Sequence, residues 1–194
     1  MKPPQPIVLE GHGLRLEPLE ERHRDGIRAA TDADRSAFTV SGPGSMPGGP
    51  DAWTDEALEE RAAGGRLPFT VLQDGVVIGS SSFLDIQVRD DRIEIGHTWY
   101  GGPWQGTRVN PAAKMLLLTY AFDELGCQRM TLKCDARNER SRRAIAGIGA
   151  QFEGVLRSWG RRIEQPERLR DAAIFSILDH EWPGVRELLE RRLS

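Results

Sequence analysis

A mixed α/β domain with one central sheet is the fold class this sequence predicts. Three observations carry the expectation. Apolar and polar residues alternate in several short runs, helical spacing appears between the later runs, and Gly- or Pro-rich turns separate them. Strands come first and then strand and helix alternate, an order that lays helices against a single sheet. The 194 residues amount to one domain, 1–194, with room for a real core.

Leu14, Leu16 and Leu19 predict an opening strand, followed by a short helix over residues 20–31 with Ile27 and Ala30 on its apolar side. Residues 41–50 form the one long Gly/Pro-rich stretch, readable as a connector or as a substrate-facing loop. Asp51 is a suitable cap for a helix through Ala63 that stops at Gly64 and Gly65. Residues 68–73 and 76–84 flank Asp74-Gly75, a strong hairpin signal. A second turn at Arg89-Asp90-Asp91 leads into a strand over residues 92–100, which holds Glu94. A helix follows from Pro111 to Leu125. The alternation of Met130, Leu132 and Cys134 then predicts a strand. Asn138 is a good N-cap for the next helix, which Gly149 stops. Residues 151–159 and 169–178 read as paired strands around an arginine-rich turn, and a last helix runs from Pro183 to Arg192.

Composition narrows the function. The formal net charge of −3 is mild and does not point to nucleic acid as the main partner. The arginines at 137–143 and 157–170 are read as solvated faces before binding patches. No apolar run is long enough to span a bilayer and the first residues have no signal-peptide pattern, so no membrane partner and a cytoplasmic location are expected. The four histidines show no metal-ligand spacing, and no metal is expected. Cys127 and Cys134 are the only cysteines, and neither a disulfide nor a thiol nucleophile is expected of them.

The most informative stretch is the loop Trp104-Gln105-Gly106-Thr107-Arg108-Val109-Asn110, between the Glu94 strand and the Pro111 helix. A loop at a helix start presents unpaired N–H groups and the positive end of the helix dipole, which suits a phosphate-bearing ligand. The loop has neither G-x-x-x-x-G-K-[ST] nor G-x-G-x-x-G, so a nucleotide-binding module is disfavoured.

The order of elements, with Gln105-Gly106-x-x-Val109 before one helix and Asn138-x-x-Ser141 opening the next, resembles the GNAT superfamily of acyl-CoA-dependent N-acetyltransferases. The likeness runs roughly from Glu94 to Phe152. The opening Leu14-Arg15-Leu16-Glu17-Pro18-Leu19 and the ending Glu181-Trp182-Pro183 look like the branch with ribosomal-protein N-terminal acetyltransferases. Two departures stand out. Arg108 and Asn110 occupy loop positions where many members have glycine, and Ile145 stands where many carry a tyrosine acid.

The resemblance implies helices on both faces of the sheet and a splayed strand pair holding acetyl-CoA, the co-substrate. Gln105, Gly106, Thr107, Arg108, Val109 and Asn110 would hold the phosphates, while His97, Thr98 and Trp99 would line the splay with Asn138 near the arm. Glu94 is the candidate base for the ammonium of a primary-amine acceptor; the other reading is a solvent-facing carboxylate or one paired to Arg92. Ser141 is the candidate partner for the leaving thiolate; the other reading is a first-turn serine bonded to backbone. A non-catalytic acyl-CoA-binding protein is the alternative function. A homodimer is kept open, and the acceptor is not named by the sequence.

Overall fold

The computed structural model describes residues 1–38 and 41–194. Its strands are β1 (Leu9–Gly11), β2 (Leu14–Pro18), β3 (Arg66–Gln73), β4 (Val76–Gln87), β5 (Arg92–Tyr100), β6 (Arg129–Asp135), β7 (Gln151–Arg161) and β8 (Leu169–Leu178). The helices are α1 (Arg24–Asp32), α2 (Gly49–Ala62), α3 (Val109–Thr119), α4 (Glu139–Gly147) and α5 (Trp182–Leu193). One mixed eight-stranded sheet has the order β1-β2-β3-β4-β5-β6-β8-β7. Among the described strands only β5 and β6 are parallel. A parallel pair needs a long crossover, and α3 supplies it.

Helices cover both faces. α1 and α2 lie over β4 and β3, around Leu19, Ile27, Phe38, Trp53 and Trp99. On the other face α3, α4 and α5 close over Phe83, Ile95, Leu117, Leu132, Phe175 and Leu189. Ile145 of α4 belongs to this core, so the residue standing where many relatives have tyrosine is a packing contact.

The hairpin follows its turn chemistry, since Asp74 and Gly75 both take positive φ, the combination that a tight two-residue turn requires. Several elements differ from expectation. β1 has too few residues to show a period and is defined by pairing with β2. The expected first helix divides into a 3-10 turn, Glu21–His23, and α1.

α2 is capped by Gly48, which puts Asp51 inside the first turn; there its carboxylate meets the helix dipole and accepts from Arg28 Nε at 2.6 Å. α3 starts at Val109, not Pro111, because a proline is tolerated in a first turn whose N–H groups have no helical partner. Its α-helical part ends at Thr119, and a π-helical turn, Tyr120–Glu124, completes the run. Cys127 and Cys134 are buried free thiols. No helix among the described residues is long and apolar enough to cross a membrane.

Candidate active site

β5 and β6 share a ladder only from Arg92↔Arg129 to Ile95↔Leu132, although β5 continues to Tyr100 and β6 to Asp135. On its other edge β5 pairs with β4, but the register jumps from Ser82↔Gly96 to Ser80↔Trp99. His97 and Thr98 therefore face Ser81 alone. Two residues against one make a β-bulge, which bends the strand. His97 takes the left-handed backbone at the bulge, with φ 46°. Beyond Ile95 the β6-side backbone of β5 has no ladder partner among the described residues, and a wedge opens between the strands.

The loop after β5 brings the remaining parts to this wedge. Gln105 Nε2 donates to Tyr100 O at 2.9 Å, and Arg140 in the first turn of α4 donates to Gln105 Oε1. The starts of α3 and α4 are thus held at one edge. Gly106, with φ 73°, turns the chain into α3. The Gly106 and Arg108 N–H groups find no acceptor among the described residues. The Arg108 guanidinium reaches Leu193 O, away from those donors, and Thr107 Oγ1 accepts from Val109 N at 3.3 Å. Val109 is a core residue and Asn110 is half-buried. Unpaired donors at the start of an 11-residue helix are suited to an anion.

Asn138 is the N-cap of α4, its Oδ1 accepting from Ser141 N at 3.0 Å. The half-buried Ser141 side chain lies by Cys134 near the end of β6. Burial pushes the Cys134 thiol up and the Ser141 hydroxyl counters this.

The face of β5 toward α1 and α2 carries Glu94, which is 3% exposed. Burial pushes its carboxyl above the ordinary glutamate value, opposed by Lys133, whose Nζ is 2.7 Å from Oε2. Arg92, the alternative partner, pairs with Asp85 instead. Gly96 leaves Glu94 its room, since a Cβ there would come within 3.0 Å of Oε1. His97 is exposed. Its crowded position and the cations Arg66, Lys133 and Arg170 hold the imidazole well below its usual value, so it is neutral at pH 7. Arg66 is buried under the Trp53 ring and donates from Nε to Ser82 Oγ at 2.9 Å.

Like Gln105 and Arg108, four more of the expected residues commit their side chains within the protein. The Trp99 ring packs edge-on against Trp53 and Phe38, with centroids 5.4 and 5.9 Å away, so only its backbone is at the wedge. Thr98 Oγ1 accepts from Lys114 Nζ at 2.7 Å. Val109 is core, and the Asn138 amide oxygen is committed to its cap. Sequence reasoning missed Lys133 and Lys114. The first lies two residues beyond Thr131, the register partner of Glu94, which puts it on the same sheet face. The second is the one charge in the apolar run 112–118, a pattern that signals a buried polar group.

A sequence profile of the acetyltransferase (GNAT) domain matches residues 13–151. Bacillus subtilis (strain 168) YdaF, whose name proposes a ribosomal N-acetyltransferase, is 32% identical over 116 residues, 60% of this chain; the match spans 61% of YdaF's own length. A crystal structure of a proposed acetyltransferase from T. thermophilus is 34% identical, with TM-score 0.85 over 98% of this chain and 99% of that one. Mycobacterium smegmatis RimJ, solved in complex with CoA-disulfide, shares the fold at 22% identity, with TM-score 0.79 over 98% of this chain and 97% of its own.

Proposed function

Since the chain belongs to the GNAT acetyltransferase family, we propose that it moves the acetyl group of acetyl-CoA to a primary amine by direct attack on the thioester. The acceptor is a protein N-terminus or a small-molecule amine, and residues 1–194 act as one acyl-CoA N-acyltransferase domain. The single observation that carries the reading is the wedge between β5 and β6, with unpaired helix-start donors at one edge and a buried carboxylate beside it. The CoA complex of RimJ supports the choice of donor.

In this reading the backbone at Gly106 and Arg108 binds the phosphates, with Gln105, Thr107, Val109 and Asn110 shaping the loop. The pantetheine arm pairs with the open β6-side edge of β5 at His97, Thr98 and Trp99, and the Asn138 cap holds the start of α4 against the arm. An α-amino group has a pKa of about 8 and a lysine of about 10.4, so the acceptor arrives as an ammonium. Glu94 takes its proton, directly or through water. The amine lone pair then attacks the thioester carbon and the oxygen gains charge. A backbone donor at the bulge would lower that barrier by ~3 kcal/mol. The carbonyl re-forms as the C–S bond breaks and the electrons leave with sulfur; the nitrogen's remaining extra proton is lost through water, and the thiolate is hydrogen-bonded by Ser141 or protonated by that water. No metal enters this scheme.

The alternative, a non-catalytic acyl-CoA-binding protein, draws on the Glu94–Lys133 pair and on Ile145 in place of a tyrosine acid. Thiol release separates the two. Acetyl-CoA is incubated with a library of peptide, polyamine and aminoglycoside acceptors and free thiol is counted. Acceptor-dependent release supports transfer, whereas CoA-induced thermal stabilisation without release supports binding alone. We place the protein in the cytoplasm and assign no membrane or nucleic-acid partner. A homodimer is part of the proposal, because edge strand β7 exposes Phe152, Val155, Leu156 and Trp159.

A further inference from the structure

Lys114 is an unusual core residue. It lies on α3 and is 3% exposed, between Ala113 and Met115 in the main hydrophobic cluster. Lysine is almost never fully buried without a partner of opposite charge. No carboxylate among the described residues comes within ion-pair distance of Lys114. Its Nζ instead donates to Ser81 Oγ at 3.1 Å and Thr98 Oγ1 at 2.7 Å, and these hydroxyls lie 2.8 Å from each other. Burial pushes the amine down to about 7, so a large fraction is neutral at physiological pH.

The position of its partners is informative. Ser81 and Thr98 are residues that the β4–β5 ladder skips at the bulge. The bulge holds a non-glycine residue, His97, at positive φ, a conformation that persists only where surrounding contacts enforce it. Lys114 supplies such a contact from the opposite layer. It stands roughly 7.5 Å along the helix axis from Val109, the first residue of the helix whose start carries the unpaired N–H donors. One rigid element therefore touches both ends of the proposed cofactor site.

We infer that Lys114 is a positioning residue: its buried amine ties the β5 bulge to α3 and holds the thioester end of the site in register with the phosphate end. The inference rests on the acetyl-CoA reading above and adds to it a residue that touches neither substrate. A misplacement of about 1 Å in a reacting group can lower a rate by of order 100-fold. The phosphate contacts are made by the helix start, which this tie does not form.

The test compares Lys114→Met, Thr98→Val, Thr98→Ser and the Lys114→Met/Thr98→Val double variant with wild type. The measurements are kcat by thiol release, CoA Kd by calorimetry and Tm. The expected kcat loss is about 10- to 100-fold in Lys114→Met and Thr98→Val, and Thr98→Ser, which keeps the hydroxyl that accepts from Lys114, recovers most of the Thr98→Val loss. The double variant should be no slower than the worse single, because both break one network. The CoA Kd should change little. A wild-type kcat in folded Lys114→Met, equal losses in Thr98→Ser and Thr98→Val, or additive losses would overturn the inference.

If Lys114→Met fails to fold, the two Thr98 variants decide alone. A wild-type protein that releases no thiol with any acceptor sinks the acetyl-transfer reading instead. Lys114 is then judged by affinity: its loss must weaken acetyl-CoA more than CoA, and an equal change overturns the tie.

Discussion

The two faces of β5 carry buried ionisable groups under opposite arrangements. Toward α1 and α2, Glu94 keeps a counter-ion, Lys133, whose side chain is 26% exposed. Toward α3, Lys114 has two hydroxyls and, among the described residues, no counter-ion. Burial drives both toward their neutral forms, the carboxyl up and the amine down. The partner makes the difference. A carboxylate beside a partly exposed ammonium can exchange protons with an acceptor, whereas a sealed amine on hydroxyls can only hold geometry. One face is suited to chemistry and the other to alignment.

Removing the carboxylate is the strongest way to break this contrast. Glu94→Gln should lower turnover by ~10²–10⁴-fold with acetyl-CoA affinity nearly unchanged. The loss should shrink at alkaline pH, where the acceptor amine deprotonates by itself. A small loss that is the same at every pH would return Glu94 to a structural ion pair with Lys133.

Next in size is Ser141→Ala. Loss of one hydrogen bond to a charged thiolate is worth ~1.5–3 kcal/mol, near ten- to a hundredfold in rate. The measurement is kcat at saturating acceptor. A wild-type value would assign the thiolate's proton to water and leave Ser141 as a neighbour of Cys134.

Lys133→Met sharpens the role of the counter-ion. Lys133 opposes the upward push of burial on Glu94, so its loss should raise the carboxyl further. A base is active only when deprotonated, and the acidic limb of kcat/KM should therefore move to higher pH. Each unit of displacement lowers the rate on that limb about tenfold. An unmoved limb would mean that another group titrates there.

The smallest expected effect is on stability at the opposite face. Lys114 is held at about 7 when folded, against roughly 10.4 in an unfolded chain. Between those values the unfolded state binds the extra proton, so this group's contribution to stability rises with pH and is lost as pH falls toward 7. Lys114→Met should flatten that rise in urea titrations across the window. An unchanged slope would show that Lys114 titrates normally.

Much of the architecture could be read from local signals. Asp74-Gly75 specifies its hairpin, Asn138 its cap, and the period of Met130, Leu132 and Cys134 its strand, because each depends on backbone preferences and neighbours a few residues away. The loop through Gly106 was legible for the same reason. Boundaries slipped where two local rules competed, as at Pro111, which fits a first position as well as the third one it takes in α3.

By itself the sequence determined the mixed α/β class, the order of the main elements and the start of α4 at Asn138, since turn, cap and period are short-range properties of the chain. Tertiary structure alone decided which charges meet. Glu94 finds Lys133 rather than Arg92 because β6 lies parallel beside β5, a pairing set by a crossover of some thirty residues. It also decided that the Trp99 ring joins Trp53 and Phe38, that β5 bulges at His97, and that Lys114 is buried against Thr98. Desolvation and ion pairing depend on distances between residues far apart in the chain, and only the packed layers bring those distances into being.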